Sequence, residues 1–141
     1  MKKRKVILYD DDDAVLNLLK EYFKQRGYEV LAYRRPVVCP SDEFSTECPE
    51  AKACAELLLT DYIMPEMNGV ELLMAQSRRN CKIPVVNKAI ISGFMDDIVL
   101  KKLHNLGYAC FEKPFNLQEL GEWLDAREKA VEQPHKPGIN G

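Results

Sequence analysis

Short apolar runs of strand length alternate with amphipathic helical stripes along this chain, and that alternation restricts the fold more than any other feature. Residues 6–9 (VILY), 29–33 (EVLAY), 57–59 (LLL), 89–91 (AII) and 108–111 (YACF) read as strands. Val15, Leu18, Leu19, Tyr22 and Phe23 line one face of a helix between the first two. Val70, Leu73 and Met74 start a stripe that runs to about Arg79, Val99, Leu103 and Leu106 form another, and Leu117, Leu120 and Leu124 form the last. Strands that read as unbroken apolar runs are buried on both faces. The pattern therefore predicts a parallel sheet with helices on both sides and right-handed crossovers.

Residues 34–55 break the pattern. Pro36, Pro40 and Pro49 exclude a long helix there and leave room only for a short one between Pro49 and Ala55. An irregular connection is expected. Gly27 and Gly107 are helix stops, Asp96 or Asp97 starts the helix after strand four, and Asn116 with Glu119 resembles a capping box. The segment after Glu132, QPHKPGING, is polar and rich in breakers. The expected division is a folded domain over 4–128 and a disordered polar tail over 129–141.

A chain of 141 residues is one ordinary domain. A net charge of −2 gives no electrostatic case for nucleic acid. The basic start, Lys2 to Lys5, is followed by only a short apolar run, and nothing approaches the roughly 20 apolar residues of a membrane span. A cytoplasmic location, no membrane partner and no nucleic-acid partner are expected. An odd number of cysteines without a secretory signal fits reduced thiols. Cys39, Cys48, Cys54 and Cys81 lack a C-x₂-C pair, so their spacing favours packed or exposed thiols over a metal site.

In a parallel sheet all strand C-termini share one edge, where such sheets bind ligands. Asp10 and Asp11 fall there after strand one, Asp61 after strand three, Ser92 after strand four and Lys113 after strand five. At an effective dielectric of about 20 and a spacing of about 4–5 Å, each ionised carboxylate pair costs roughly 3–4 kcal/mol. A divalent cation removes that cost, and oxygen ligands without clustered His or Cys favour Mg²⁺ over zinc. Ser92 and Lys113 then offer a hydroxyl and a positive charge to a phosphoryl group. Asp12 and Asp13 need no such role, since acids favour a helix start. Pro114 sets a turn behind Lys113 that can take a cis bond.

The motifs YDDDD (9–13), LLLTDYIMPEMNG (57–69), IISG (90–93) and EKPFN (112–116) resemble, in order, those of response-regulator receiver domains, the phosphoacceptors of two-component signalling. The likeness covers about residues 4–128. It implies a flavodoxin-like three-layer sandwich with strand order 2-1-3-4-5 and a second helix shortened or irregular here. It implies that Asp61 accepts the phosphoryl group and that Mg²⁺, with Mn²⁺ as a substitute, is held by Asp10, Asp11, Asp61 and the backbone carbonyl of Ile63. Lys113 and Ser92 would contact the phosphoryl group. It also implies a sensor histidine kinase or phosphotransfer protein as donor. With no output domain after residue 130, a stand-alone receiver is expected. Its output would be a protein target or homodimer engaged through the helix 4–strand 5–helix 5 face.

The sequence departs from the pattern at several places: the Pro- and Cys-rich segment replaces or shortens the second helix, and Gly107 to Lys113 is one residue shorter than usual. The connection from Pro84 to Ser92 is longer than usual, which suggests a bulge or longer loop. The position of the family's switch aromatic is Cys110, so the switch set is Ser92 with Cys110 or a register-shifted Phe111. Ile63 and Phe94 are bulky apolar residues at positions that flank the phosphate, and are expected to slow its hydrolysis. The alternatives are a small phosphatase like the haloacid dehalogenases, for which Asp10-Asp11-Asp12 offers a DxD but Ala14 stands where that family has threonine, and a binding module independent of phosphorylation. The receiver reading makes the chain a phosphoacceptor and not a turnover enzyme.

Overall fold

Five parallel strands form one sheet in the order β2-β1-β3-β4-β5. They are β1 (Lys5–Tyr9), β2 (Glu29–Tyr33), β3 (Leu57–Asp61), β4 (Lys88–Ser92) and β5 (Ala109–Glu112). Helices α1 (Asp13–Gln25), α2 (Gly69–Arg78), α3 (Asp97–Leu106) and α4 (Leu117–Glu132) make the crossovers and the final layer. This is the expected flavodoxin-like sandwich. The computed structural model describes residues 3–114 and 116–132.

Strand periodicity sorts the core into two layers. Val6, Leu8, Leu57, Leu59, Ala89, Ile91 and Phe111 face α1 and α4, where they meet Leu16, Leu19, Phe23, Leu120 and Leu124. Ile7, Tyr9, Leu58 and Ile90 face the other way, toward Leu72 and Leu73 of α2, Leu103 of α3, and Val37 and Val38 of the irregular segment. Each of these fully buried aliphatic side chains contributes about 1.5–3 kcal/mol. The last helix is also tied by polar groups: Arg26 Nη2 donates to Asp125 Oδ1 at 2.8 Å and Glu128 Oε1 at 3.0 Å, and Tyr28 Oη donates to Glu128 Oε2 at 2.7 Å.

Helix starts follow the sequence signals. Asp12 caps α1, accepting from Ala14 N at 2.9 Å and Val15 N at 3.5 Å. Asn68 and Glu71 form a reciprocal capping box at α2. Asp96, not Asp97, caps α3 by accepting from Ile98 N. Such caps contribute about 1 kcal/mol each. Gly107 ends α3 with φ +101°, a left-handed conformation that a β-carbon resists. Asn116 Oδ1 accepts from Glu119 N at 3.0 Å, one half of the expected box.

The expected bounds of one strand are corrected. Strand β5 begins at Ala109 rather than Tyr108 and runs through Glu112, whereas β4 starts one residue before Ala89, at Lys88, within the range expected. The extra residues after Pro84 form one 3-10 turn, Val85–Asn87, which is the longer loop of the two expected alternatives. No helix forms between Pro49 and Ala55. Helix α4 runs to Glu132, and residues 133–141 of the expected tail lie outside the described residues. Phe115 of the EKPFN motif is also outside them.

Residues 34–56 carry no regular element, yet they are held against the sheet. Tyr9 Oη donates to Val37 O at 2.7 Å, and Gln76 Nε2 donates to Val38 O at 3.1 Å, both buried. Cys48 N donates to Arg79 O at 2.6 Å. This strap occupies the layer where a second crossover helix would have packed.

Candidate functional site

Parallel register brings the predicted residues to one edge. Tyr9 pairs with Thr60, Asp61 with Ile91, and Ser92 with Glu112. Asp10, Asp61, Ser92 and Lys113 are therefore the last or next residues of four adjacent strands. One carboxylate oxygen from each of Asp10, Asp11 and Asp61 lies within 4.8 Å of the other two. Asp10 and Asp61 are buried and Asp11 is exposed. At that separation and an effective dielectric of about 20, the buried Asp10–Asp61 pair repels by about 3.5 kcal/mol or more when ionised, and pairs with exposed Asp11 by about half that after solvent screening.

Lys113 supplies the opposing charge. Its Nζ lies 3.0 Å from Asp61 Oδ1 and 3.6 Å from Asp10 Oδ2. The Lys113–Pro114 peptide is cis. Burial lowers the Lys113 pKa, but the hydrogen bond and charge of Asp61, followed by Asp10, outweigh it and leave the ammonium above its ordinary range. Burial pushes both carboxyls up. For Asp61 the Lys113 contact opposes that rise, and for Asp10 the Asp12 backbone N–H does. One cation thus compensates the acidic cluster only in part.

Asp10 carries the clearest sign of a further ligand. Its Oδ1 accepts from Asp12 N at 2.8 Å, while its Oδ2 is buried without a hydrogen-bond partner. Unpaired buried acceptors are costly and uncommon in folded proteins. An all-oxygen donor set, partly open to water through Asp11, suits a hard cation such as Mg²⁺.

Ser92 is buried at the same edge. Its Oγ donates to Phe94 O at 2.5 Å and accepts from Phe94 N at 3.0 Å, and its carbonyl accepts from Lys113 N at 2.8 Å. Ile63 and Phe94 are 72% and 81% exposed, so both large apolar side chains stand in water, two residues after Asp61 and Ser92 respectively. Cys110 and Phe111 lie on opposite faces of β5. Cys110 packs with the α2–α3 layer, whereas Phe111 packs edge-on against Trp123 of α4 at 5.6 Å. Phe111 therefore lies on the side of the sheet opposite Cys110.

Two residues that position Asp61 have no obvious signal in the sequence. A β-carbon on Gly69 would sit 2.5 Å from the Asp61 carbonyl oxygen and 2.9 Å from Ile90 Cδ1, so only glycine lets the loop close on the strand end. The Gly69 N–H donates to Tyr62 O at 2.7 Å. Thr60 Oγ1 donates to the same Asp61 carbonyl at 2.9 Å. Glu66 makes the intervening turn with φ +74°.

Comparison with known proteins agrees with this geometry. Residues 6–125 match the family model for the response regulator receiver domain. The chain is 32% identical over 127 residues to the transcriptional regulatory protein CrdR of Helicobacter pylori, covering 84% of this chain and 52% of that protein. It is 30% identical over 124 residues to the chemotaxis protein CheY1 of the same species, covering 86% and 94%. It thus spans about half the length of CrdR, and 45% of CpxR from Escherichia coli. The non-phosphorylated HemR receiver domain of Leptospira biflexa shares the fold, with a TM-score of 0.72, 22% identity and coverage of 95% and 100%. Nothing in these matches points to a haloacid-dehalogenase-like phosphatase. Among the described residues no helix is long and apolar enough to cross a membrane. With four strand ends delivering their acids and lysine to one edge, this chain belongs to the response regulator receiver family, the phosphoacceptors of two-component signalling.

Proposed function

We propose that Asp61 is the phosphoacceptor, and the observation that carries this is the Lys113 ammonium 3.0 Å from one Asp61 oxygen beside the buried Asp10 Oδ2, which has Lys113 as an ion-pair neighbour at 3.6 Å and no hydrogen-bond donor. Asp10, Asp11, Asp61 and the Ile63 carbonyl would hold Mg²⁺, which supplies charge neutralisation for phosphoryl oxygens when bound; Mn²⁺ would substitute. Asp61 attacks phosphorus in line through a carboxylate oxygen, the bond to the donor's nitrogen or oxygen breaks, and the leaving group departs with its electron pair. Lys113 stays protonated and pairs with the transferred group. Ser92 exchanges its bond to Phe94 O for one to a phosphoryl oxygen. Cys110, on the α3 side of β5, stands where the family's switch aromatic would turn.

The donor is a sensor histidine kinase or phosphotransfer protein. The receiving surface is made of α3, β5 and α4, which correspond to the fourth helix, fifth strand and fifth helix of the family because the strap replaces one helix. A protein target or a second copy docks there, in the cytoplasm, and the protein takes up and slowly loses phosphate without turnover. Intact-mass measurement after acetyl phosphate and Mg²⁺ tests the acceptor. One phosphoryl group on the parent and none on Asp61→Asn is expected, and equal labelling of both would refute it.

A further inference from the structure

Four of the five cysteines come together on the side of the sheet away from the phosphoacceptor edge. Cys39, Cys48 and Cys54 belong to the irregular strap and Cys81 follows α2, yet all four line one cavity of about 20 Å³ beside Gln76. That volume accommodates a single water-sized occupant and not a cluster or an organic cofactor. All four thiols are free.

Lys88 is an independent pointer to an anionic occupant. Its side chain is 2% exposed in the middle of the sheet, and its Nζ donates to Gln76 Oε1 at 2.9 Å and lies against the Cys81 thiol. Among the described residues no carboxylate pairs with it. A buried ammonium without a counter-charge is costly. The strap adds a third observation. Residues 34–56 hold no helix or strand inside a small domain, a length at which loops are uncommon unless they serve a function. A metal ion cross-links such segments where secondary structure does not.

We propose that Cys39, Cys48, Cys54 and Cys81 bind a single zinc ion that fastens the strap to α2 and the sheet, with Lys88 as the charge partner of the thiolates. Four thiol protons leave on binding, and the zinc tetrathiolate carries a double negative charge that the Lys88 ammonium halves. Borderline-soft d¹⁰ zinc matches sulfur ligands as the acidic edge matches Mg²⁺. The acidic triad is the only group of three or more candidate ligands already within 4.8 Å among the described residues. Zinc therefore draws the sulfurs inward, and the strap is the part of the fold free of strand and helix hydrogen bonds that would resist this.

The test uses the full chain, purified reduced and without chelator. About one zinc per chain is expected by elemental analysis, released when the thiols are mercurated. Cys54→Ser and Cys81→Ser should lose it, whereas Cys110→Ser and Asp61→Asn should keep it. Lys88→Met should weaken zinc binding about 10–100-fold, as loss of an outer-shell partner does. If the serine variants do not fold, Co²⁺ titration of the chelated parent decides, with thiolate-to-cobalt charge-transfer and tetrahedral bands reaching their end at one equivalent. A reduced parent that takes up neither zinc nor cobalt through sulfur overturns the proposal. So does zinc retained by the Cys54→Ser/Cys81→Ser double variant, iron or copper in its place, or a disulfide between these cysteines in freshly isolated protein.

Discussion

Asp10→Asn should stabilise the protein in chelator and destabilise it, relative to the parent, in saturating Mg²⁺. The substitution keeps the acceptor that binds Asp12 N and removes one charge. Without Mg²⁺ it loses attraction to Lys113 at 3.6 Å, about 4.6 kcal/mol at an effective dielectric of 20. It also relieves repulsion from Asp61, about 3.5 kcal/mol, and from exposed Asp11, about half that after solvent screening. The balance is a small gain, and removing the cost of burying a carboxylate adds to it. The raised Asp10 pKa has the same sign, because the neutral form is favoured in the folded state. A net gain of about 1–2 kcal/mol corresponds to roughly 3–8 °C in midpoint for a domain of this size. Mg²⁺ then stabilises the parent by mass action and the variant much less. Urea melts at neutral pH with EDTA or Mg²⁺ give both numbers. A variant less stable than the parent in EDTA, or one with the full Mg²⁺ increment, would refute the electrostatic reasoning.

Burial raises the folded-state pKa of Asp10 and Asp61 above their ordinary 3.8, so these groups contribute stability at low pH that is lost as pH rises through the folded values. The difference in stability between Asp10→Asn and the parent in chelator should therefore widen from about pH 4 toward neutrality, read by denaturant midpoints across that range. Gly69→Ala should cost about 1–3 kcal/mol through its clash with the Asp61 carbonyl and Ile90, and should slow acetyl-phosphate labelling; unchanged labelling would show that this contact does not position the acceptor. Replacing Ile63 and Phe94 together with serine should speed phosphate loss, and because both are exposed, stability should stay within about 0.5 kcal/mol of the parent. Glu128→Ala leaves Tyr28 Oη and Arg26 without their shared partner and should lower stability by about 1–3 kcal/mol, seen as a lower urea midpoint with unaltered labelling.

The fold was legible because parallel strands leave unbroken apolar runs and crossover helices leave stripes, and both survive as one-dimensional patterns. The acidic edge was legible for the same reason: Asp10, Asp11, Asp61 and Lys113 each follow a run that ends, and topology alone brings such ends together. Other features depend on distances that the sequence does not encode locally. The side on which Phe111 lies is settled by its pairing with Ile91, which needs the register of β4, and the 3-10 turn after Pro84 obscured where β4 begins. Lys88 reads as a polar break between apolar runs, yet it is the first residue of a fully buried strand. Gly69 closes the LLLTDYIMPEMNG motif, and only the fold shows that its closest contact is with the end of β3. The four cysteines lack a local metal knuckle, and only the path of the strap across α2 gathers them around one cavity.

The most direct test of the account is to trap the acyl phosphate chemically and find where it was. After acetyl phosphate and Mg²⁺, borohydride reduction converts a phosphorylated aspartate to homoserine, which peptide sequencing locates. Homoserine at position 61 alone, absent when EDTA replaces Mg²⁺, is predicted. Homoserine at position 10 or 11, at several aspartates equally, or formed just as readily in EDTA would contradict it.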